Sequence, residues 1–321
     1  ELPDAIAVDY PAVYWLEARD RACAAWRATR IATLPATKHK NSQGYMLAQL
    51  IPGGKPEIVL AAGDGNYMLI IPPRPEAGEW PKIKITAEET GEGIAAGDFN
   101  RDGYLDIAAG RANDYVAWWE NPGPRGGEWK IHKIGKTVFR ADRCAVADIN
   151  GDGRLDIVIS EERYPGPDPD ATLWWFEHPK ETNAPEWPRH KIVTEYSLNS
   201  MDVGDIDRDG DPDIVVGEQR GPLLRLQIWE NDGKGQFRVH EIDRGKENHL
   251  GARLFDLNGD GALDIVGIAW VNFPYLHVWR NDALRTHDVR LENASLRLRY
   301  GRAGDGKDLS LIHISEPTRP Y

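Results

Sequence analysis

Four short segments of this sequence set oxygen-bearing side chains at a spacing that suits a bound metal ion. They are Asp98, Asn100, Asp102, Tyr104 and Asp106; Asp148, Asn150, Asp152, Arg154 and Asp156; Asp205, Asp207, Asp209, Asp211 and Asp213; and Asp256, Asn258, Asp260, Ala262 and Asp264. Counted from the first Asp, these are positions 1, 3, 5, 7 and 9 of a loop with glycine at position 6. Side-chain oxygens at the first three positions converge only if the chain curls tightly, which the glycine permits. Position 7 ligates through its backbone carbonyl, so its side chain is free to vary. The acid at position 9 closes the shell. Hard oxygen donors in this number suit Ca²⁺ better than zinc or copper. An EF-hand would need Glu at the twelfth place and flanking helices. That place holds Ala109, Ile159, Val216 or Gly267, and the sequence around it is β-rich. The competing reading is a set of Asp-rich turns without metal.

The elements around the loops repeat as well. The position-9 anchors Asp106, Asp156, Asp213 and Asp264 are 50, 57 and 51 residues apart. Weaker copies put Glu57 49 residues before Asp106, and Asp4 53 residues before Glu57. A short apolar strand follows each anchor. Most repeats then show an aromatic strand with an acidic or amide end (VYWLEA 13–18, AWWENP 117–122, WWFEHP 174–179, QIWEND 227–232, HVWRND 277–282). Another strand begins with an aromatic residue (WRATRI 26–31, WPKIKI 80–85, WKIHKI 129–134, WPRHKI 187–192, FRVHEI 237–242). With the apolar stretch before each loop, every repeat gives four strands, A to D, and the acidic loop joins A to B. Four antiparallel strands per repeat of about 50 residues predict an all-β fold, a β-propeller of four-stranded blades. A β-sandwich has no reason to repeat one loop four times.

These loops and strands resemble the FG-GAP/VCBS repeats of the integrin α-chain propeller and of many secreted bacterial proteins. The resemblance covers roughly residues 2–282. It implies a propeller, with six partial or full blades present and seven in the complete protein. It also implies about four structural Ca²⁺ in A–B loops on one face. It fails in the second repeat, where Ile51, Pro52, Gly53 and Gly54 replace the acidic ligands. Loops without a bidentate Glu at the twelfth place would bind calcium in the extracellular range, roughly 10⁻⁴–10⁻³ M. The expected location is therefore secreted, periplasmic or at the cell surface.

The formal net charge of −12 argues against nucleic-acid or anionic-membrane partners, and four divalent ions would offset much of it. No apolar run approaches the roughly 20 residues of a membrane helix. Cys23 and Cys144 are the only cysteines, too few for a disulfide framework. The expected layout is a propeller over 1–292, a degenerate continuation over 293–308 and a non-native tail over 309–321. The first repeat starts inside its loop, so the chain reads as a fragment of a protein with further domains. The tail LSLIHISEPTR (309–319) resembles the in-frame translation of a sequencing-library adapter. That resemblance implies a tail off the body. The first repeat lacks a complete strand A, so an edge at residues 3–7 is expected to be unpaired or paired with 295–300.

No nucleophile motif, phosphate loop or zinc signature is present. Two readings of function stay open. The first is a binding or scaffold module for a glycan or protein ligand. It would use D–A and B–C loops opposite the acidic hairpins, with Trp270, Tyr275 and Tyr164 as aromatic platforms. The second is the propeller of a sugar-processing dehydratase or lyase, with His249, Arg140, Asn199 and His39 as candidates. His132, His190 and His240 recur at one place in strand D, which points to a repeat consensus and not to one metal site. Asp202 and Arg253 each lie three residues before a loop and are expected to pair across neighbouring blades.

Overall fold

The computed structural model describes residues 4–38, 44–111, 115–163, 168–246, 252–268 and 276–281, and the backbone of 291–296 and 310–314. The fold is an all-β β-propeller, with six four-stranded antiparallel sheets among the described residues. The first blade begins with β1 (Asp4–Asp9), β2 (Ala12–Ala18) and β3 (Trp26–Thr33). The second has β4 (Tyr45–Ala48), β5 (Glu57–Ala62), β6 (Gly65–Leu69) and β7 (Lys82–Lys84). The third has β8 (Ile94–Gly97), β9 (Asp106–Arg111), β10 (Tyr115–Glu120) and β11 (Lys130–Gly135). The fourth has β12 (Arg140–Ala147), β13 (Asp156–Glu162), β14 (Ala171–Phe176) and β15 (Arg189–Glu195). The fifth has β16 (Ser200–Gly204), β17 (Asp213–Gly217), β18 (Leu226–Asn231) and β19 (Phe237–Asp243). The sixth has β20 (Arg253–Phe255), β21 (Asp264–Ile268), β22 (Leu276–Asn281) and β23 (Leu291–Leu296). A last strand, β24 (Ser310–Ile314), pairs with β1.

The burial of these strands follows from their sequences. Second strands such as EIVLAA, DIVIS and DIVVG are apolar without alternation and are buried on both faces, as expected for a strand between two neighbouring sheets. Outer strands β7, β11 and β15 carry Lys, His and Arg and are largely exposed. Two compact units are distinguished by their contacts. One comprises Glu1–Glu92, Asn121–Lys130 and Arg302–Tyr321, and the other Gly93–Glu120 and Ile131–Gly301. The first is held by a core of Ile6, Val13, Ile31, Leu60, Leu69 and Trp80. In the second, β12 lies beside β8 and β16, and β16 beside β20, so the A strands follow one another in order. Its core passes from Phe99, Trp118 and Phe176 through Trp175 and Ile214 to Ile228 and Trp279.

The described residues form six blades, the number expected in this chain. Two expectations need correction. The first blade has its fourth strand: Ser310–Ile314 takes the A position, with Asp4 opposite Ile314 and Val8 opposite Ser310. A tail off the body and an unpaired edge at residues 3–7 were expected instead. The physical reason is the row of free N–H and C=O groups on an unpaired strand, which any extended segment can satisfy. Finally, β23 pairs with β22 as the D strand of the sixth blade, so the boundary expected at residue 292 falls inside a strand.

Candidate metal site

The four acidic loops share one backbone path. Position 6 is left-handed in each, at Gly103, Gly153, Gly210 and Gly261 (φ 88, 81, 101 and 82°). Position 4 is left-handed too, and here the sequence alternates Arg101 and Arg208 with Gly151 and Gly259 (φ 59, 67, 69 and 77°). The position-1 carboxylate fastens the curl by accepting the position-6 amide. Gly103 donates to Asp98 at 2.9 Å, Gly153 to Asp148 at 2.7 Å, Gly210 to Asp205 at 3.1 Å and Gly261 to Asp256 at 2.9 Å. The position-5 carboxylate accepts the position-7 amide in every loop, from Tyr104, Arg154, Asp211 and Ala262. The side chains at 1, 3 and 5 therefore turn inward as a consequence of local hydrogen bonding.

The anchors behave differently. Asp106, Asp156, Asp213 and Asp264 are buried, and each accepts the position-2 amide on Oδ2: Phe99, Ile149, Ile206 and Leu257, at 2.9–3.1 Å. For three of them Oδ1 accepts the amide at the end of strand C, from His178 (2.7 Å), Asn231 (2.9 Å) and Asn281 (2.8 Å). Burial pushes Asp156 and Asp213 up to about 7, against the pull of those amides. A carboxylate offers roughly four lone-pair sites, so an anchor holding two amides keeps acceptor capacity. Glu57 does the same work without acidic neighbours, accepting Leu50 and Ile51 amides at 2.9 and 3.0 Å.

A stitch between blades escaped the sequence reading. Asn121 Nδ2 donates to Leu50 O, Asn231 to Ile149 O and Asn281 to Ile206 O, each at 2.8 Å. Each bond runs from the end of one C strand to position 2 of the preceding blade's A–B turn. The signal was visible as the residue that follows the acidic or basic end of strand C: Asn121, His178, Asn231, Asn281. In the fourth blade His178 stands there, stacked on Trp187 at 4.4 Å and pushed down to about 4 by burial.

The loops differ in charge balance. In the third, ligand oxygens of Asp205, Asp207 and Asp209 all lie within 4.8 Å of one another, and Asp205 Oδ1 is buried without a hydrogen-bond partner. Burial first, and then neighbouring carboxylates, hold Asp207 and Asp211 above the usual carboxylate range. In the second loop Arg154 pairs with Asp152 and donates from Nε to His178 O at 2.9 Å. In the fourth, Arg208 of the neighbouring blade lies 3.5 Å from Asp260, whose pKa is lowered, chiefly by the Ala262 amide. In the first and fourth, the position-3 amide donates to the position-5 acid, Asn100 to Asp102 at 3.1 Å and Asn258 to Asp260 at 2.8 Å. The third loop is thus a set of hard oxygen donors with unbalanced negative charge, which fits a divalent cation.

The other candidates are placed as follows. Arg253 reaches Asp202 at 3.9 Å across β16 and β20, and Leu254 N donates to the same carboxylate at 3.0 Å. His132 and His190 each pair with a C-strand acid, Glu120 and Glu177, at 2.8 Å, and His240 pairs with Glu230. They share no site. Arg140 pairs with Glu162 at 3.4 Å, and Asn199 is buried, accepting the Ser197 hydroxyl at 2.5 Å. His39, His249, Tyr164, Trp270 and Tyr275 lie outside the described residues. Cys23 and Cys144 are free thiols.

The family model of the FG-GAP-like repeat matches residues 98–159 and 205–267, two stretches that each begin at the first Asp of a loop. Among solved structures, a lectin of Agrocybe aegerita, described as recognising non-reducing terminal N-acetylglucosamine, is 18% identical with a TM-score of 0.53, over 88% of this chain and 74% of that one. Sqt1 of Saccharomyces cerevisiae is 9% identical with a TM-score of 0.50, over 93% of this chain and 73% of that one. At these identities the likeness is one of fold. No curated protein matches in sequence.

Proposed function

We propose that this FG-GAP-repeat β-propeller is a calcium-stabilised binding or scaffold module for a glycan or protein ligand, acting outside the cell or on its surface. The observation that carries the reading is the third loop, with three carboxylates inside 4.8 Å and an unpartnered buried oxygen on Asp205. Asp205, Asp207 and Asp209 would hold the ion with the carbonyl of Asp211 and the remaining acceptor capacity of Asp213. The ion would neutralise the cluster and tie the A–B hairpin together. The other three loops offer the same positions with Asn for one acid, so four ions is the upper number. Loops of this kind bind at roughly 10⁻⁴–10⁻³ M, which favours a calcium-rich compartment. Among the described residues no helix is long and apolar enough to cross a membrane. The likeness to a lectin supports ligand binding as the role of the scaffold.

Titration of chelator-stripped protein with CaCl₂ tests this. Saturable binding and a rise of several degrees in melting temperature are expected. A melting temperature indifferent to calcium, with no heat of binding, would contradict it.

A further inference from the structure

Where strand D begins, the repeats place an aromatic residue, and its size varies in a way that matters at one junction. In the second, third and fourth blades it is tryptophan: Trp80, Trp129 and Trp187, only 4, 7 and 2% exposed. Two of these make the same bond to the preceding blade. Trp80 N donates to Ile31 O at 2.7 Å and Trp187 N to Ile134 O at 2.8 Å. Their rings lie against aromatic neighbours. Trp80 sits 6.3 Å from Trp15, and Trp187 sits 5.9 Å from Phe99, edge-on. The indole acts as a plug between sheets.

In the fifth blade the residue is Phe237, half-buried, and the plug is incomplete. An open groove of about 460 Å³ lies there between the fourth and fifth blades, within the second unit. Trp175 and His190 form one wall, opposite each other in register and stacked at 4.4 Å. Ile192 extends it, and Trp229 and Phe237 form the other wall. Gly235 closes the inner side. A Cβ there would come within 2.4 Å of the Trp175 ring, and the residue is left-handed at φ 74°, so only glycine fits. The Arg189 guanidinium at its edge lies over the Trp174 ring at 4.1 Å and donates to Lys136 O. Lys191 and Gln236 complete the lining, so the aromatic walls stand among polar groups that make up most of its exposed surface, in a groove of a size common for ligand sites.

We propose that this groove receives an aromatic side chain, tryptophan for preference, from a protein partner, in the place that Trp80, Trp129 and Trp187 fill from within the chain. The proposal rests on reading the chain as a binding module. The fold itself supplies the precedent for the occupant, since the same junction elsewhere is completed by an indole. Partner tryptophans are also the residues that most often dominate binding energy.

The test uses the full chain with calcium and N-acetyltryptophanamide as probe, followed by ligand-observed NMR. N-acetylalaninamide and N-acetylglucosamine serve as comparisons. Saturable binding of the tryptophan probe is expected, with at least about tenfold loss in F237W, whose own indole fills the slot. F237W should melt no lower than the parent. If it fails to fold, Trp229→Leu, which removes one wall, should give a similar loss. Binding of the sugar and not of the tryptophan probe would overturn the proposal, as would binding of neither, or binding unchanged in both variants. Calcium titration of the same sample separates the two readings: calcium bound without probe binding sinks the groove alone.

Discussion

The A–B turn of the second blade and the A–B loop of the fifth do the same structural job with different chemistry. In the second blade, Ile51-Pro52-Gly53-Gly54 contributes no acid, yet Glu57 is buried and accepts two backbone amides at its turn. In the fifth, Asp213 is buried and accepts the Ile206 and Asn231 amides, while Asp205, Asp207 and Asp209 cluster above it. Even the interblade stitch is common to both, with Asn121 on Leu50 O and Asn281 on Ile206 O. The anchor carboxylate therefore belongs to the fold. The acids at positions 1, 3 and 5 are an addition that the hairpin does not need in order to form.

Removing an anchor should give the largest effect. Asp213→Ala strands two buried amides and Glu57→Ala one buried and one half-buried amide, at roughly 1–3 kcal/mol per unsatisfied group, so about 2–6 kcal/mol is expected from each. Denaturant melts in chelator should show the two losses to be similar. A large loss at Asp213 with none at Glu57 would break the equivalence.

A pH effect should come next. The folded values of Asp156 and Asp213, about 7, exceed the unfolded value of about 4. Protonated anchors bind more protons in the folded state, so their contribution is full below pH ~4 and lost as pH rises through ~7. Calcium-free protein should melt several degrees higher at pH 5 than at pH 8, and calcium should narrow the gap. A calcium-free melting temperature that rises over this range would contradict the assignment.

Arg154 sharpens the comparison among the loops themselves. Its guanidinium already occupies Asp152, so Arg154→Ala should raise calcium affinity at the second loop a few-fold. It should cost about 1 kcal/mol in chelator through the orphaned His178 carbonyl. Calorimetric titration of variant and parent would show whether affinity moves.

Much of this was legible in the sequence, because each blade carries its own signal. The loop spacing located four repeats directly, and the anchors Glu57 and Asp4 with their apolar B strands located two weaker ones. The Asp202–Arg253 pair followed from counting back from the loops. The double role of the anchors was less visible. An acid at position 9 reads equally as a ligand or as a buried acceptor, and only the amides of Ile206 and Asn231 distinguish them. Position 4 was overlooked because Arg101 and Arg208 do not announce a left-handed backbone. The partner of β1 was missed because strand pairing between distant segments depends on backbone groups that carry no sequence pattern.

The central claim separates fold-bearing anchors from cation-bearing acids, and one comparison of melting temperatures tests it. Asp205→Asn with Asp209→Asn keeps the acceptor oxygens for the Gly210 and Asp211 amides but removes the charge. In chelator this double variant should melt within a few degrees of the parent. On adding calcium it should gain clearly less than the parent, whereas Asp213→Ala should melt far lower with or without the ion. A double variant that collapses in chelator, or that gains as much from calcium as the parent, would contradict the account.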